Sequence, residues 1–212
     1  PLKNPPNDAR LVSQTLRKLG FEVIELIDAN QKKMKKAARE FTSRLSNNDE
    51  KKAVGVFYYA GHGIQVNGTN YLIPLEAEIT SEGDVDIEAV SANSILMAME
   101  SARANYNFII LDACRNNPIP RSSRSSTRGL ARMTTSMGSL IAYSTSPGSI
   151  ALDGDGNNSP YTLALVEALK EELPVERMFR EVRTKVIKAT NNQQTPWESS
   201  SLIGEDFYFA KK

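Results

Sequence analysis

Two stretches of this chain, Ala53–Ala60 (AVGVFYYA) and Tyr106–Leu111 (YNFIIL), are apolar almost without interruption. Short runs of this kind, rich in Val, Ile and aromatic residues, read as strands buried on both faces, because the usual alternation vanishes when neither face meets water. Such strands belong to parallel sheets with helices on both sides, and the sequence supplies the helices. Apolar residues recur at helical spacing in Asn7–Leu19, with Asn7 or Asp8 as cap and Gly20 as stop, and from Asn30 through Met34, Ala37, Ala38, Phe41 and Leu45. The same spacing surrounds Ile95, Met99 and Ala102, and continues over Pro160–Leu173 and Val175–Ala189. Further strands are expected at Phe21–Ile27, Ser139–Ser144 and Asp206–Phe209, with a turn at Asn67-Gly68 before the short segment Tyr71–Pro74. The expectation is an α/β fold: a mainly parallel central sheet covered by helices on both faces.

A length of 212 residues suits one domain. The 26 basic and 25 acidic residues leave a net charge of +1, too even for a nucleic-acid or membrane-surface binder that relies on a basic field. The basic residues between Lys32 and Arg44 fall mostly on one helix face and read as solvated surface. No apolar run approaches the roughly 20 residues of a membrane-spanning helix, so a soluble, cytoplasmic protein is expected. The chain has one cysteine, Cys114, and one histidine, His62. An internal disulfide, a multi-cysteine zinc site and a paired-histidine metal site are therefore excluded within the chain.

Both residues directly follow the solid apolar runs, at Gly61-His62-Gly63 and Asp112-Ala113-Cys114-Arg115. In an open parallel sheet, reactive groups gather beyond the carboxyl ends of the strands, so neighbouring strands would bring the pair together. Taken alone, a cysteine at a strand end is a small buried hydrophobe and a lone histidine a structural hydrogen-bonding group. Their joint placement favours chemistry: an imidazole can take the thiol proton and return a proton to a leaving amine. The glycines around His62 are expected to form a tight turn, with the amides of Gly63 and Cys114 as an oxyanion hole.

The segments YYAGHG (Tyr58–Gly63) and LDACRNNP (Leu111–Pro118) resemble the histidine and cysteine signatures of caspase-like cysteine peptidases. NPPNDARL near the start, NYLIP at Asn70–Pro74, AYSTSPG at Ala142–Gly148 and QTPW at Gln194–Trp197 extend the resemblance over essentially the whole chain, closest in kind to metacaspases and bacterial orthocaspases. The resemblance implies a caspase-hemoglobinase-like three-layer sandwich, with His62 and Cys114 as a catalytic dyad working through a thioester acyl-enzyme. Caspases that cut after aspartate carry glutamine two residues before the cysteine. This chain has Asp112 there, and in metacaspases that aspartate and a second one from an Asn-Asp pair, here Asp8, line an acidic pocket for arginine or lysine.

Physical reasoning agrees, since a carboxylate buried beside a nucleophile is costly unless a cation pairs with it. Protein or peptide substrates with Arg or Lys before the cut are therefore expected, with Asp153 and Asp155 in a loop that borders the same pocket. Metacaspases commonly have serine two residues before the histidine, where this chain has Ala60. No cofactor is expected to be required, and Asp84, Asp86 and Glu88 lack a recognisable calcium-loop spacing. The loop of about residues 116–132 should separate a larger segment, about 1–120, from a smaller one, about 133–212. Its Arg121, Arg124, Arg128 and Arg132 match the expected specificity and are candidates for self-cleavage. No apolar strand precedes the first helix, so the first sheet strand is expected upstream of residue 1. The alternatives are an inactive caspase-like binding module, a related peptidase or acyltransferase of other specificity, and a doubly wound nucleotide binder, which lacks a Gly-rich phosphate fingerprint.

Overall fold

The two solid apolar runs become the adjacent central strands of a six-stranded sheet. The computed structural model describes residues 2–47, 53–114, 130–147 and 149–211, with Cys114 described by its backbone. In chain order the elements are α1 (Pro5–Lys18), α2 (Gln31–Ser46), β1 (Val54–Val66), β2 (Thr69–Leu72), α3 (Glu82–Glu88) and β3 (Val90–Ser91). They continue with α4 (Ala92–Ser101), β4 (Tyr106–Cys114), β5 (Ser139–Tyr143), α5 (Pro160–Ala168), α6 (Val175–Ala189) and β6 (Trp197–Ser200). The sheet order is β3-β2-β1-β4-β5-β6. Its centre, β1, β4 and β5, is parallel, and the flanking β2, β3 and β6 run antiparallel to their neighbours. The expected sandwich is present: successive residues of a strand point to opposite faces, and each face has its own cover. Phe108, Ile110, Leu140 and Ala142 pack against α1, α5 and α6. Ile109, Leu111, Ile141 and Tyr143 pack on the opposite face with α2, α4 and Met133.

Several elements differ from the sequence expectation. α1 starts at Pro5 behind Asn4, so Asp8 lies in the first helical turn and is no cap; proline suits that first turn because its missing N–H has no partner there. Asn30 does cap α2, accepting from the Lys33 amide at 3.1 Å. The acidic stretch after Glu76 contains α3, opened by a capping box between Ser81 and Asp84. α5 ends at Ala168, short of Leu173. Asp206–Phe209 is no strand: the Phe207 carbonyl accepts from Val175 N at 2.8 Å, at the start of α6, and the rings of Phe207 and Phe209 meet edge-on at 5.0 Å beside Phe108. The last strand is the polar β6, which as an edge needs no apolar run.

Phe21–Ile27 has strand composition but joins no ladder. Beyond β4, the first half of β1 has no second strand beside it among the described residues. A cavity of about 410 Å³ lies there instead, bounded by the 21–29 segment, by α1 through Ala9 and Val12, and by α2 through Met34 and Phe41. His62 is among the residues that line it.

Candidate active site

One parallel ladder pairs Val54–His62 with Tyr106–Cys114, and its last pair is His62 opposite Cys114. Neighbouring strands lie ~4.8 Å apart, so the two backbones are at adjacent-strand distance. The expected strand ends at Ala60 and Leu111 are thus corrected. Both residues belong to the strands themselves, which is a stiffer mounting than two loops.

The expected tight turn at Gly61-His62-Gly63 is instead a bend inside β1, where the strand leaves β4 and continues with β2 from Gly63 to Val66. Gly61 has φ +154°, and a Cβ there would stand 2.6 Å from the Tyr59 hydroxyl. That hydroxyl lies 2.7 Å from the His62 carbonyl and 3.0 Å from that of Ile73, with its proton shared between them. The His62 carbonyl also accepts from Ile73 N at 3.0 Å. The backbone at the histidine is therefore held from two sides. Gly63 is equally confined: a Cβ there would be 3.1 Å from Ala113 Cβ and 3.1 Å from Leu130 Cδ2.

The His62 ring is half-buried, and its Nδ1 is shut off from solvent without a hydrogen-bond partner among the described residues. Burial pushes its pKa below the usual 6.5, against an opposing pull from the negative Asp153. Near neutral pH the ring is therefore uncharged and free to accept a proton.

Asp112 is buried at the end of β4, on the face covered by α1 and α5. Its Oδ2 accepts from the Ser159 hydroxyl and, at 3.0 Å, from the Thr162 hydroxyl, and the Ser144 hydroxyl also bears on this carboxyl. Tyr58 Oη lies 2.6 Å behind Thr162 Oγ1. Asp8 comes in from α1, and its Oδ1 accepts from Ser159 N at 3.0 Å and Asn158 Nδ2 at 2.9 Å. Asp153 stands close enough that its charge bears on Asp8, Asp112 and His62 alike. It also anchors the chain start, Oδ2 accepting from Lys3 N at 2.9 Å and its carbonyl from Asn4 Nδ2 at 2.6 Å.

Desolvation raises Asp8 to about 7, with the Asn158 bond lowering it and the Asp112 charge raising it. Desolvation also raises Asp112, against the Ser159 and Thr162 hydrogen bonds. None of the ion pairs among the described residues involves these three aspartates. The result is a recess of three carboxyl groups near His62, none of them ion-paired among the described residues.

Residues 1–208 match the family described as Caspase domain. The chain belongs to the caspase-domain family. It is also similar to mucosa-associated lymphoid tissue lymphoma translocation protein 1 of Homo sapiens and to the Mus musculus homolog. Each is 31% identical over 114 residues, which make up 54% of this chain and 13% of the relative. The match thus spans a small part of those relatives' length.

This caspase domain brings Asp8, Asp112 and Asp153 together near His62, whereas Asp155 is exposed on the same loop. Of the arginines expected to be cut, Arg121, Arg124 and Arg128 lie outside the described residues, and Arg132 is exposed. Among the described residues, no group of three or more His, Cys, Asp or Glu side chains is placed to hold a metal ion, and no helix is long and apolar enough to cross a membrane. Sequence reasoning missed Ser159 and Thr162. The signal was present in Ser159-Pro160, a cap followed by proline: Ser159 Oγ accepts from Thr162 N at 2.9 Å while donating to Asp112.

Proposed function

We propose that this caspase domain is a cysteine endopeptidase that cleaves after arginine or lysine, with Cys114 as nucleophile and His62 as general base and acid. The observation that carries the reading is the ladder register that sets position 62 opposite position 114. In the first step the Cys114 thiol gives its proton to His62, and the sulfur attacks the scissile carbonyl carbon. The resulting oxyanion is met by the amides of Gly63 and Cys114. As the tetrahedral intermediate collapses, His62 hands its proton to the leaving amine and a thioester remains. Water then attacks the thioester and gives a proton to His62, which returns it to the departing sulfur. A His62 that is neutral at pH 7 suits the two steps in which it accepts a proton, from the thiol and from water.

The recess formed by Asp8, Asp112 and Asp153 supports the preference for a basic residue. Buried carboxylates without a cation are costly, and a guanidinium supplies charge and a planar donor fork together. Lysine fits as a point charge of the same sign. Self-cleavage in the connection after Cys114 follows if its arginines reach the same recess.

A peptide ending in arginine and carrying a thiol-reactive group tests this reading. Mass spectrometry is expected to find one adduct on Cys114 in the native protein, and none in His62→Ala at equal exposure. Labelling at equal rates in both proteins, or preferential labelling by an aspartate-ended probe, would overturn it.

A further inference from the structure

Asn70 is completely buried on β2, yet its side chain does not serve β2. Its Nδ2 donates to the Ala131 carbonyl at 2.7 Å, and its Oδ1 accepts from Ala131 N at 2.7 Å. This closed pair reproduces the double exchange between two strand residues, with a side-chain amide standing in for a peptide group. Ala131 belongs to a strap, residues 130–136, that is neither helix nor strand. The strap has further fixings, none of them a strand ladder. Met133 is buried and its N–H donates to Tyr143 Oη at 2.9 Å. Glu100 accepts from Ser136 N at 2.8 Å and from its hydroxyl at 2.9 Å.

Leu130, directly before the Asn70 fixing, reaches the residues that adjoin His62 and Cys114 in the chain. Its Cδ2 lies 3.1 Å from where a Cβ on Gly63 would stand, a tight contact, and its side chain borders a small recess with Leu111, Ala113, Tyr143, Ser144 and Thr145. Gly63 follows His62, and Ala113 precedes Cys114.

We propose that Asn70 is a positioning residue: by clamping the Ala131 backbone it holds Leu130 as a fixed wall against Gly63 and Ala113. This rests on the peptidase reading of His62 and Cys114. Two consequences follow. A break in the chain between Cys114 and Leu130 leaves the wall in place, because the clamp lies after it. Arg132 is not a self-cleavage site: its side chain is exposed, but Ala131 and Met133 are bonded on both sides, and a peptidase needs the bond drawn out as an extended strand.

The clamp is tested on Cys114→Ala protein, which cannot cut itself, by limited trypsin digestion with mass-spectrometric mapping of the Arg132–Met133 bond. In Asn70→Ala added to that background, the bond is expected to be cut about tenfold faster or more. Leu130→Ala, which leaves the clamp intact, keeps the slow rate. With Cys114 present, both Asn70→Ala and Leu130→Ala are expected to lower kcat on an arginine peptide about tenfold, with KM changed less than about twofold. Should Asn70→Ala fail to fold, Asn70→Asp takes its place, since it keeps the acceptor and sets a carboxylate oxygen against the Ala131 carbonyl. Equal trypsin rates with and without the Asn70 amide would overturn the clamp. Unchanged kcat in both variants would overturn the wall. Absence of hydrolysis by the native protein itself would strike the peptidase reading, while the trypsin comparison would still decide the clamp.

Discussion

Replacing Asp8 by asparagine separates what this side chain does for folding from what it does for substrate. Asparagine keeps an Oδ1 able to accept from Ser159 N and Asn158 Nδ2, the two bonds Asp8 makes, but cannot ionise. Burial carries Asp8 from 3.8 to about 7. At 1.36 kcal/mol per unit this is a handicap of about 4 kcal/mol when the group is ionised in both states. The sign follows from proton binding. The unfolded chain loses the Asp8 proton near 3.8, whereas the folded chain keeps it until about 7, so the contribution of Asp8 to stability is full below the first value and drains away up to the second. Urea unfolding at pH 4 should therefore find native and Asp8→Asn proteins within about 1 kcal/mol of each other. At pH 8 the variant should be more stable by about 2–4 kcal/mol, the lower figure allowing for relaxation of the site. The same variant should raise KM for arginine peptides about tenfold or more, because half of a charge-assisted pair is gone. A stability gap that is the same at both pH values, or an Asp8→Asn protein less stable at pH 8, would refute the claim that a strained carboxylate is held ready for a cation.

Three further outcomes follow from the same geometry. The acid limb of kcat/KM should inflect below pH 6.5, since burial lowers His62 and the neutral ring is the active form; an inflection above 6.5 would contradict that assignment. Gly61→Ala should lose most activity and about 2 kcal/mol or more of stability in thermal melts, because its Cβ would collide with Tyr59 at 2.6 Å, whereas Tyr59→Phe should cost about 1 kcal/mol and lower kcat more than it changes KM. Ser159→Ala removes both the α5 cap and a donor to Asp112, so it should cost about 1 kcal/mol and weaken arginine binding in a KM comparison; no change in either would show that Ser159 does not hold the recess.

The centre of the fold was legible because solid apolar runs have few physical alternatives. Tyr106–Leu111 is buried on both faces from Asn107 onward, whereas Ala53–Ala60 pairs with it but stays partly exposed to the cavity; the residues that follow the two runs still inherit neighbouring places. Their exact extent was not legible. β1 runs on to Val66 because it exchanges β4 for β2 at the histidine, and a change of partner leaves no mark in hydropathy. Phe21–Ile27 shows the converse: strand composition is a property of a segment, whereas a strand is a property of a pair. Trp197–Ser200 pairs on one edge with polar side chains and so carried no periodic signal.

At the site, Asp8 and Asp112 stood out because carboxylates near a nucleophile demand an explanation. Ser159, Thr162 and Asn70 did not, since each is an ordinary polar residue whose role depends on long-range contacts: 47 residues from Ser159 to Asp112 and 61 from Asn70 to Ala131. Only the packed sheet brings those partners within reach.

The central claim is tested most directly by hydrolysis of fluorogenic peptides ending in arginine, lysine or aspartate, by the native protein and by Cys114→Ala, each with added calcium and with chelator. The account predicts release from the arginine and lysine peptides by the native protein alone, with the chelator arm unchanged. Cleavage after aspartate, or activity that survives loss of Cys114, would contradict it.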